Sequence, residues 1–397
     1  MIMNWKCLCC ACFMAVLFLL IFSPAKANRA HIQPVLYSGI ENNSNFWKSA
    51  LNEVSVNTYY VKPGAILGYE TPKTEVFFDG TVNFYWYDGQ DTPPPGVREA
   101  SDDNYIGATA ELTANYQATR RINLGLLDLF YITRDPARSD VNSNSINRDK
   151  YTINYFEPNI YYEISGKFGL MSKYRNTTTD YEKDLEDSKE NRGIFNLFYY
   201  LNSRQRAYLD YSVWKRTYDQ QTVDYTSNLV SLNYEHQFNY LSLEAGAGYH
   251  NRSFDLTGLE DMDVFPWHVE IKRQDPDSTR RTTRSFLSLD IGQDMNNDGT
   301  GNQYFTATFF RFEGAYRFFE KLEASIYAAY QMSDYEFEVR EDDTYLASGR
   351  LAYLVTDYLT IGFEGGKENR DSNIDGLDFD DTFFMLTLDI EYDFGTR

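Results

Sequence analysis

The sequence predicts an all-β chain, a transmembrane antiparallel up-and-down β-barrel of about 18 strands. Three observations carry this expectation. Apolar residues recur at every second position over segments of ten or more residues. Short connections alternate with long polar ones along the chain. The chain opens with an export signal, yet nothing after residue 27 is apolar for long enough to cross a membrane as a helix.

The export signal comes first. Lys6 gives a positive start, residues 8–22 an apolar core, and Ser23-Pro24-Ala25-Lys26-Ala27 an Ala-x-Ala cleavage site. Residues 1–27 thus read as a secretory signal peptide and residues 28–397 as one barrel domain. Cys7, Cys9, Cys10 and Cys12 are the only cysteines, and they lie at the front of the apolar stretch, not after it, which argues against lipid attachment. Beyond residue 27 there is no disulfide, thiolate metal site or Cys nucleophile.

The strands follow from a period of two. Over residues 382–394, Phe384, Leu386, Leu388, Ile390, Tyr392 and Phe394 share one face, with Met385, Thr387, Asp389, Glu391 and Asp393 on the other. Residues 322–332 repeat the pattern, with Leu322, Ala324, Ile326, Ala328, Tyr330 and Met332 opposite Glu323, Ser325, Tyr327, Ala329 and Gln331. Val230, Leu232 and Tyr234, then Leu287, Leu289 and Ile291, then Leu359, Ile361 and Phe363, alternate in the same way. Strands tilted in a bilayer need about 9–11 residues to cross it. Many long alternating segments over most of the chain favour a membrane barrel over a sandwich. Pro63, Pro158 and Pro266 fall in or at strands, where each is expected to mark a bulge or a strand start.

The connections support the same count. Residues 71–73, 119–120, 165–166, 202–204, 239–240, 319–320 and 356–357 are short turns. Between them lie longer stretches rich in Asp, Asn, Ser and Gly at 88–102, 135–149, 179–191, 219–223, 254–262, 293–302, 339–343 and 370–379. Only 274–282 is long where a short turn is due. The count is 18 strands, with 16 as the alternative if the first strand and the pair around Trp267 are misread. An even count places both termini at one end, the periplasmic end in a Gram-negative outer membrane.

Composition narrows the function classes. The formal net charge is −21, and the leader contributes only Lys6 and Lys26 among charged residues, so the exported chain is more acidic still. It would repel phosphates, which excludes nucleic acid as a partner. Aromatic residues make up 17% of the chain, which excludes a disordered chain despite the polarity.

The alternation places Asp210, Glu235, Glu244, Asp290, Glu313, Glu323, Glu364 and Asp389 inside the barrel, together with Arg206, Arg311 and Arg350. Acids outnumber bases there, so cations and neutral solutes are expected to pass more easily than anions. The plainer reading of each residue is that it hydrates and braces the wall through ion pairs. Tyr59, Tyr105, Tyr199, Tyr249 and Phe394 are expected outward, in interfacial girdles. Tyr208, Trp214 and Tyr327 are inward aromatics, where sugar stacking could occur.

Two loops carry Asp-x-Asn-x-Asp-Gly, the front half of a calcium loop: Asp294, Asn296 and Asp298 before Gly299, and Asp371, Asn373 and Asp375 before Gly376. Phe305 and Thr382 stand where the bidentate Glu would be, and Asp and Asn also favour turns for their own sake. Beyond candidate calcium at these extracellular loops, the sequence points to no cofactor. The histidines are His31, His236, His250 and His268. His250 and Ser253, three apart on a strand, point to opposite faces. No catalytic constellation stands out, and an enzyme is not expected.

Several stretches resemble one family: Phe265-Pro266-Trp267-His268, Gly301-Asn302 with Tyr304-Phe305-Thr306, Arg340-Glu341-Asp342-Asp343-Thr344-Tyr345, and Arg370-Asp371-Ser372-Asn373 with Asp375-Gly376. They resemble the putative β-barrel porin 2 family, outer-membrane barrels often encoded beside exopolysaccharide synthesis and export genes. The resemblance spans nearly all of the chain after the leader and is strongest from Phe265 onward. It implies a passive conduit for exopolysaccharide, working with a periplasmic polysaccharide-export protein and placed among outer-membrane lipid and lipopolysaccharide by the barrel assembly machinery. One departure is the end of the chain: such barrels usually finish on an aromatic residue, whereas Phe394 is followed by Gly395-Thr396-Arg397. The alternatives are a general diffusion porin for small cationic or neutral solutes, and a structural or adhesive surface barrel whose lumen is plugged by loops such as 88–102.

Overall fold

The computed structural model describes residues 29–51, 53–93, 98–134, 149–182, 187–219, 222–256, 258–273, 284–296 and 304–394. Residues 1–28 (which include the expected leader), Asp298, Gly301, Asn302, the stretch 274–283 and residues 395–397 lie outside the described residues.

The strands are β1 (Arg29–Asn43), β2 (Val56–Glu70), β3 (Thr74–Gly89), β4 (Tyr105–Gln117), β5 (Ile122–Thr133), β6 (Tyr151–Ser165), β7 (Phe168–Tyr181), β8 (Ser188–Asn202), β9 (Gln205–Tyr218) and β10 (Tyr225–Gln237). They continue with β11 (Leu241–Phe254), β12 (Met262–Val264), β13 (Trp267–Arg273), β14 (Ser285–Met295), β15 (Phe305–Phe318), β16 (Leu322–Tyr335), β17 (Glu341–Thr356), β18 (Leu359–Ser372) and β19 (Phe379–Glu391). Every pairing is antiparallel, and β1 closes the ring by pairing with both β2 and β19. The pieces β12 and β13 both pair with β11 in one register and form a single stave, so the barrel has 18 staves. The only helical segment among the described residues is a short 3₁₀ turn, Ala100–Asp103.

The two faces are sorted against the rule for a water-soluble protein. On β19, Leu386 and Leu388 are 52% and 38% exposed, while Thr387 between them is 7% exposed. Large apolar side chains are likewise exposed on the outer face of β4, β8, β16 and β17, for example Ile106, Leu197, Ile326 and Leu351. An apolar outer belt and a polar inner face fit a wall solvated by lipid. Aromatics flank the belt, with Tyr116, Tyr162 and Tyr199 towards the turn end and Tyr59, Trp86, Tyr249 and Tyr345 towards the loop end.

Three local expectations change. Tyr105 is inward: it pairs with Tyr85, lies 8% exposed, and stacks on the Tyr85 ring at 4.8 Å. Its place is set by the β3 register and not by its own short alternation. The prolines interrupt pairing without inserting a residue. The ladder skips Lys62–Pro63 and Glu157–Pro158 and resumes in the same register, and Pro266 splits β12 from β13 in the same way. A missing N–H opens the ladder locally, and the closed ring holds the register. Finally, β8 begins at Ser188 and β17 at Glu341, inside stretches read as loops. Staves project beyond the apolar belt, where both faces are polar and alternation disappears.

Leu388 faces outward near the middle of the belt. Leu388→Arg is expected to cost about 2–4 kcal/mol in reversible unfolding from lipid vesicles. Thr387→Arg, on the inner face, should cost clearly less in the same titration.

Candidate functional site

The inner wall is the candidate site, and cross-strand register assembles it. Arg206, Glu235, Glu244, Glu270, Asp290 and Arg311 lie in one row across β9, β10, β11, β13, β14 and β15. Like charges side by side on a ladder repel, and each acid in this row is offset by a neighbour. Arg206 Nε donates to Glu235 at 2.7 Å. Glu244 accepts the Tyr208 hydroxyl and lies 3.5 Å from His268 Nε2. Lys272 pairs with Glu270, and Arg311 Nη1 is 3.5 Å from Asp290.

The remaining residues singled out in the sequence share this inward face. Asp210 accepts from the Asn196 amide and from Ser212 Oγ at 3.0 Å. Glu323 pairs with Arg317 at 2.9 Å. Arg350 on β17 reaches Asp389 on β19 at 3.4 Å, passing over β18 at Gly362. A Cβ at Gly362 would stand 2.6 Å from Thr387 Oγ1 and 3.2 Å from Arg350 Nε, so only glycine leaves that path open. Glu313 and Glu364 have no ion-pair or hydrogen-bond partner among the described residues. Tyr208, Trp214 and Tyr327 also face inward. His250 is buried on the inner face, while Ser253 three residues on lies on the outer one.

A recess of about 840 Å³ runs along the inner wall of β1 to β6 and β19. Glu41, Asp79 and Glu111 line it with Lys62, which stands over the Tyr60 and Tyr85 rings at 4.6 and 5.0 Å. Asp79 and Glu111 are direct cross-strand partners, and neither has a basic partner among the described residues.

The loop end is narrowed by inward-folded chain. In the connection after β1, residues 44–51 and 53–55 turn into the mouth, where Phe46, Val54 and Val56 pack with Tyr60, Tyr85, Tyr87, Tyr105 and Ala100. It is pinned by Lys48 to Glu368 at 2.6 Å and by the Asn45 N–H to Asp381 at 3.0 Å. Arg98 stacks over Trp47 at 4.8 Å. A second cluster holds Trp214, Tyr218, Tyr225, Met262, Met295 and Tyr304. Within it Arg252 is fully buried, donating to the Asn296 carbonyl at 2.7 Å and lying 4.2 Å from the Tyr225 ring. Burial pushes the Tyr304 phenol above its ordinary pKa, and its hydroxyl donates to the Val223 carbonyl at 2.7 Å. Sequence reading missed the loop 44–55. Its signal was Phe46-Trp47 inside an Asn- and Ser-rich run, where a solvated loop would carry no large apolar pair.

The two acidic loops use their amides for folding. Asn296 accepts the Phe305 N–H at 3.1 Å, and Asp294 takes His250 Nδ1 at 3.1 Å. Asn373 accepts the Glu341 N–H at 3.0 Å and donates to the Val339 carbonyl at 3.2 Å. No group of three or more His, Cys, Asp or Glu residues placed to hold a metal occurs among the described residues.

If the pinned loop sets the bore, Lys48→Met combined with Phe46→Ala should raise single-channel conductance in planar bilayers. The fold should be retained, read as unchanged heat-modifiable migration on gels.

Three solved structures resemble this barrel. A BenF-like porin from Pseudomonas fluorescens Pf-5 is 11% identical, with a TM-score of 0.50, 92% of this chain and 99% of that chain being covered. OccAB4 of Acinetobacter baumannii is 13% identical, with a TM-score of 0.48 and coverage of 94% and 100%. OpdK of Pseudomonas aeruginosa, solved with vanillate, is 13% identical, with a TM-score of 0.47 and coverage of 91% and 99%. At these identities the likeness concerns the fold alone. No curated protein matches the chain in sequence. The model of the putative beta-barrel porin 2 family matches residues 239–392, which include the motifs from Phe265 onward; the chain is a porin-like β-barrel of the outer-membrane type and carries that family's pattern over this stretch.

Proposed function

We propose that the protein is a diffusion porin for small cationic and neutral solutes. The observation that carries this reading is the inner face itself, which is predominantly polar and holds Asp79, Glu111, Glu313 and Glu364 with no ion pair or hydrogen bond to a basic group among the described residues. Acidic groups on a low-dielectric wall raise the local cation concentration. The inward loop 44–55 and the two aromatic clusters narrow the mouth, which favours small solutes over a polymer.

The exopolysaccharide conduit is the second reading. It rests on the family pattern over residues 239–392, with a periplasmic export protein as its partner. Deleting the gene in its host separates the two, because loss of secreted polymer with an otherwise normal envelope would favour the conduit.

In a potassium chloride gradient across a bilayer, the reversal potential should have the sign of cation preference. Asp79→Asn with Glu111→Gln should shift it towards zero, at nearly unchanged conductance in high salt.

A further inference from the structure

Among the described residues, Asp128 places a carboxyl group in the apolar outer face of β5. The outward positions of β5 run Ile122, Leu124, Leu126, Asp128, Phe130 and Ile132, so the carboxyl sits mid-belt, with apolar neighbours above and below. Its register partners are Leu112 on β4 and Phe156 on β6, both apolar. The inward positions of the same strand are Leu127, Leu129 and Tyr131, opposite Glu111 and Thr109.

Asp128 is poorly satisfied where it stands. Its one hydrogen bond is from Asn154 Nδ2, at 3.4 Å, to Oδ1. Oδ2 and the second amide hydrogen of Asn154 have no partner among the described residues. Other outward polar groups nearby are served: Tyr174 and Asn176 both donate to Asn191, at 2.6 and 3.0 Å. Lipid tails offer no donor, and an ionisable side chain at this depth marks a functional contact by default. The surroundings are small or flat: Ala110 and Ala114 on β4, Pro158 on β6 and Ser172 on β7 all face outward. A second wall can therefore approach closely.

We propose that the β4–β7 wall docks a second copy of this chain about a two-fold axis along the membrane normal. The complementarity is internal to the patch. Each copy presents a carboxylate oxygen that needs a donor and an amide N–H that needs an acceptor. A two-fold axis brings each against the other, as an isologous contact requires. The inference does not depend on what the lumen passes.

Cysteine cross-linking tests it, because no cysteine follows Cys12 in the sequence. Purified Leu126→Cys protein in liposomes, treated with a short bis-maleimide, should give a cross-linked dimer. Phe312→Cys, outward on β15 across the barrel, should not. Adding Asp128→Leu to Leu126→Cys should lower the dimer yield at least tenfold while the barrel stays heat-modifiable. Asp128→Asn, which keeps hydrogen-bonding capacity, should retain most of it. Equal yields at Leu126→Cys and Phe312→Cys, or a yield indifferent to Asp128→Leu, would overturn the proposal. So would cross-linking in native membranes to a different protein instead of a second copy. Should Asp128→Leu fail to fold, the comparison of the two cysteine positions decides alone.

Discussion

Hydrocarbon provides no hydrogen-bond partner, so a chain crossing it must satisfy every backbone N–H and C=O internally. That constraint makes the pairing of β1 with β19 the contact on which the rest depends. Once the ring is closed there is no free edge, and register is held all the way round. A proline such as Pro63 or Pro158 can then drop out of the ladder without letting the strands slip. Closure also fixes the two faces, since any residue's side follows from its partners as well as from its own strand.

The same constraint separates two electrostatic environments. Outside, charge is costly, and the belt is Leu, Ile, Phe and Tyr. Inside, water screens charge, and exposed ion pairs there contribute about 0–1 kcal/mol each. Pairs such as Arg350–Asp389 and Arg206–Glu235 orient the wall more than they stabilise it. The bore is then shaped at the mouth, where Lys48–Glu368 and the contacts to Asp381 hold chain against the inner wall.

Much of this was legible in the sequence. Long alternating strands such as β16 and β19 need only local pattern, and the 18-stave count followed from the spacing of short turns. Where alternation was silent, so was the reading. Leu126-Leu127-Asp128-Leu129-Phe130 is apolar on both faces, so only the registers of β4 and β6 show that Asp128 points outward. Tyr105, at the start of β4, has the same problem. The loop 44–55 carried a local sign of burial in Phe46-Trp47, but where it packs depends on Tyr60, Tyr85 and Tyr105 from three different strands. The eleven inward charged residues of the candidate site were placed by alternation alone, but their pairing required cross-strand register, and the path that Gly362 leaves between Arg350 and Asp389 required register across β17 to β19.

The central claim is that the inner face lines a water-filled path and the outer face does not. Glu111 and Leu112 are adjacent on β4 and point to opposite sides. With Glu111→Cys and Leu112→Cys each incorporated in a bilayer, a charged, membrane-impermeant thiol reagent should react with the first and reduce its current. It should leave the second untouched. Reaction at Leu112→Cys with none at Glu111→Cys, or no current in either protein, would contradict the account.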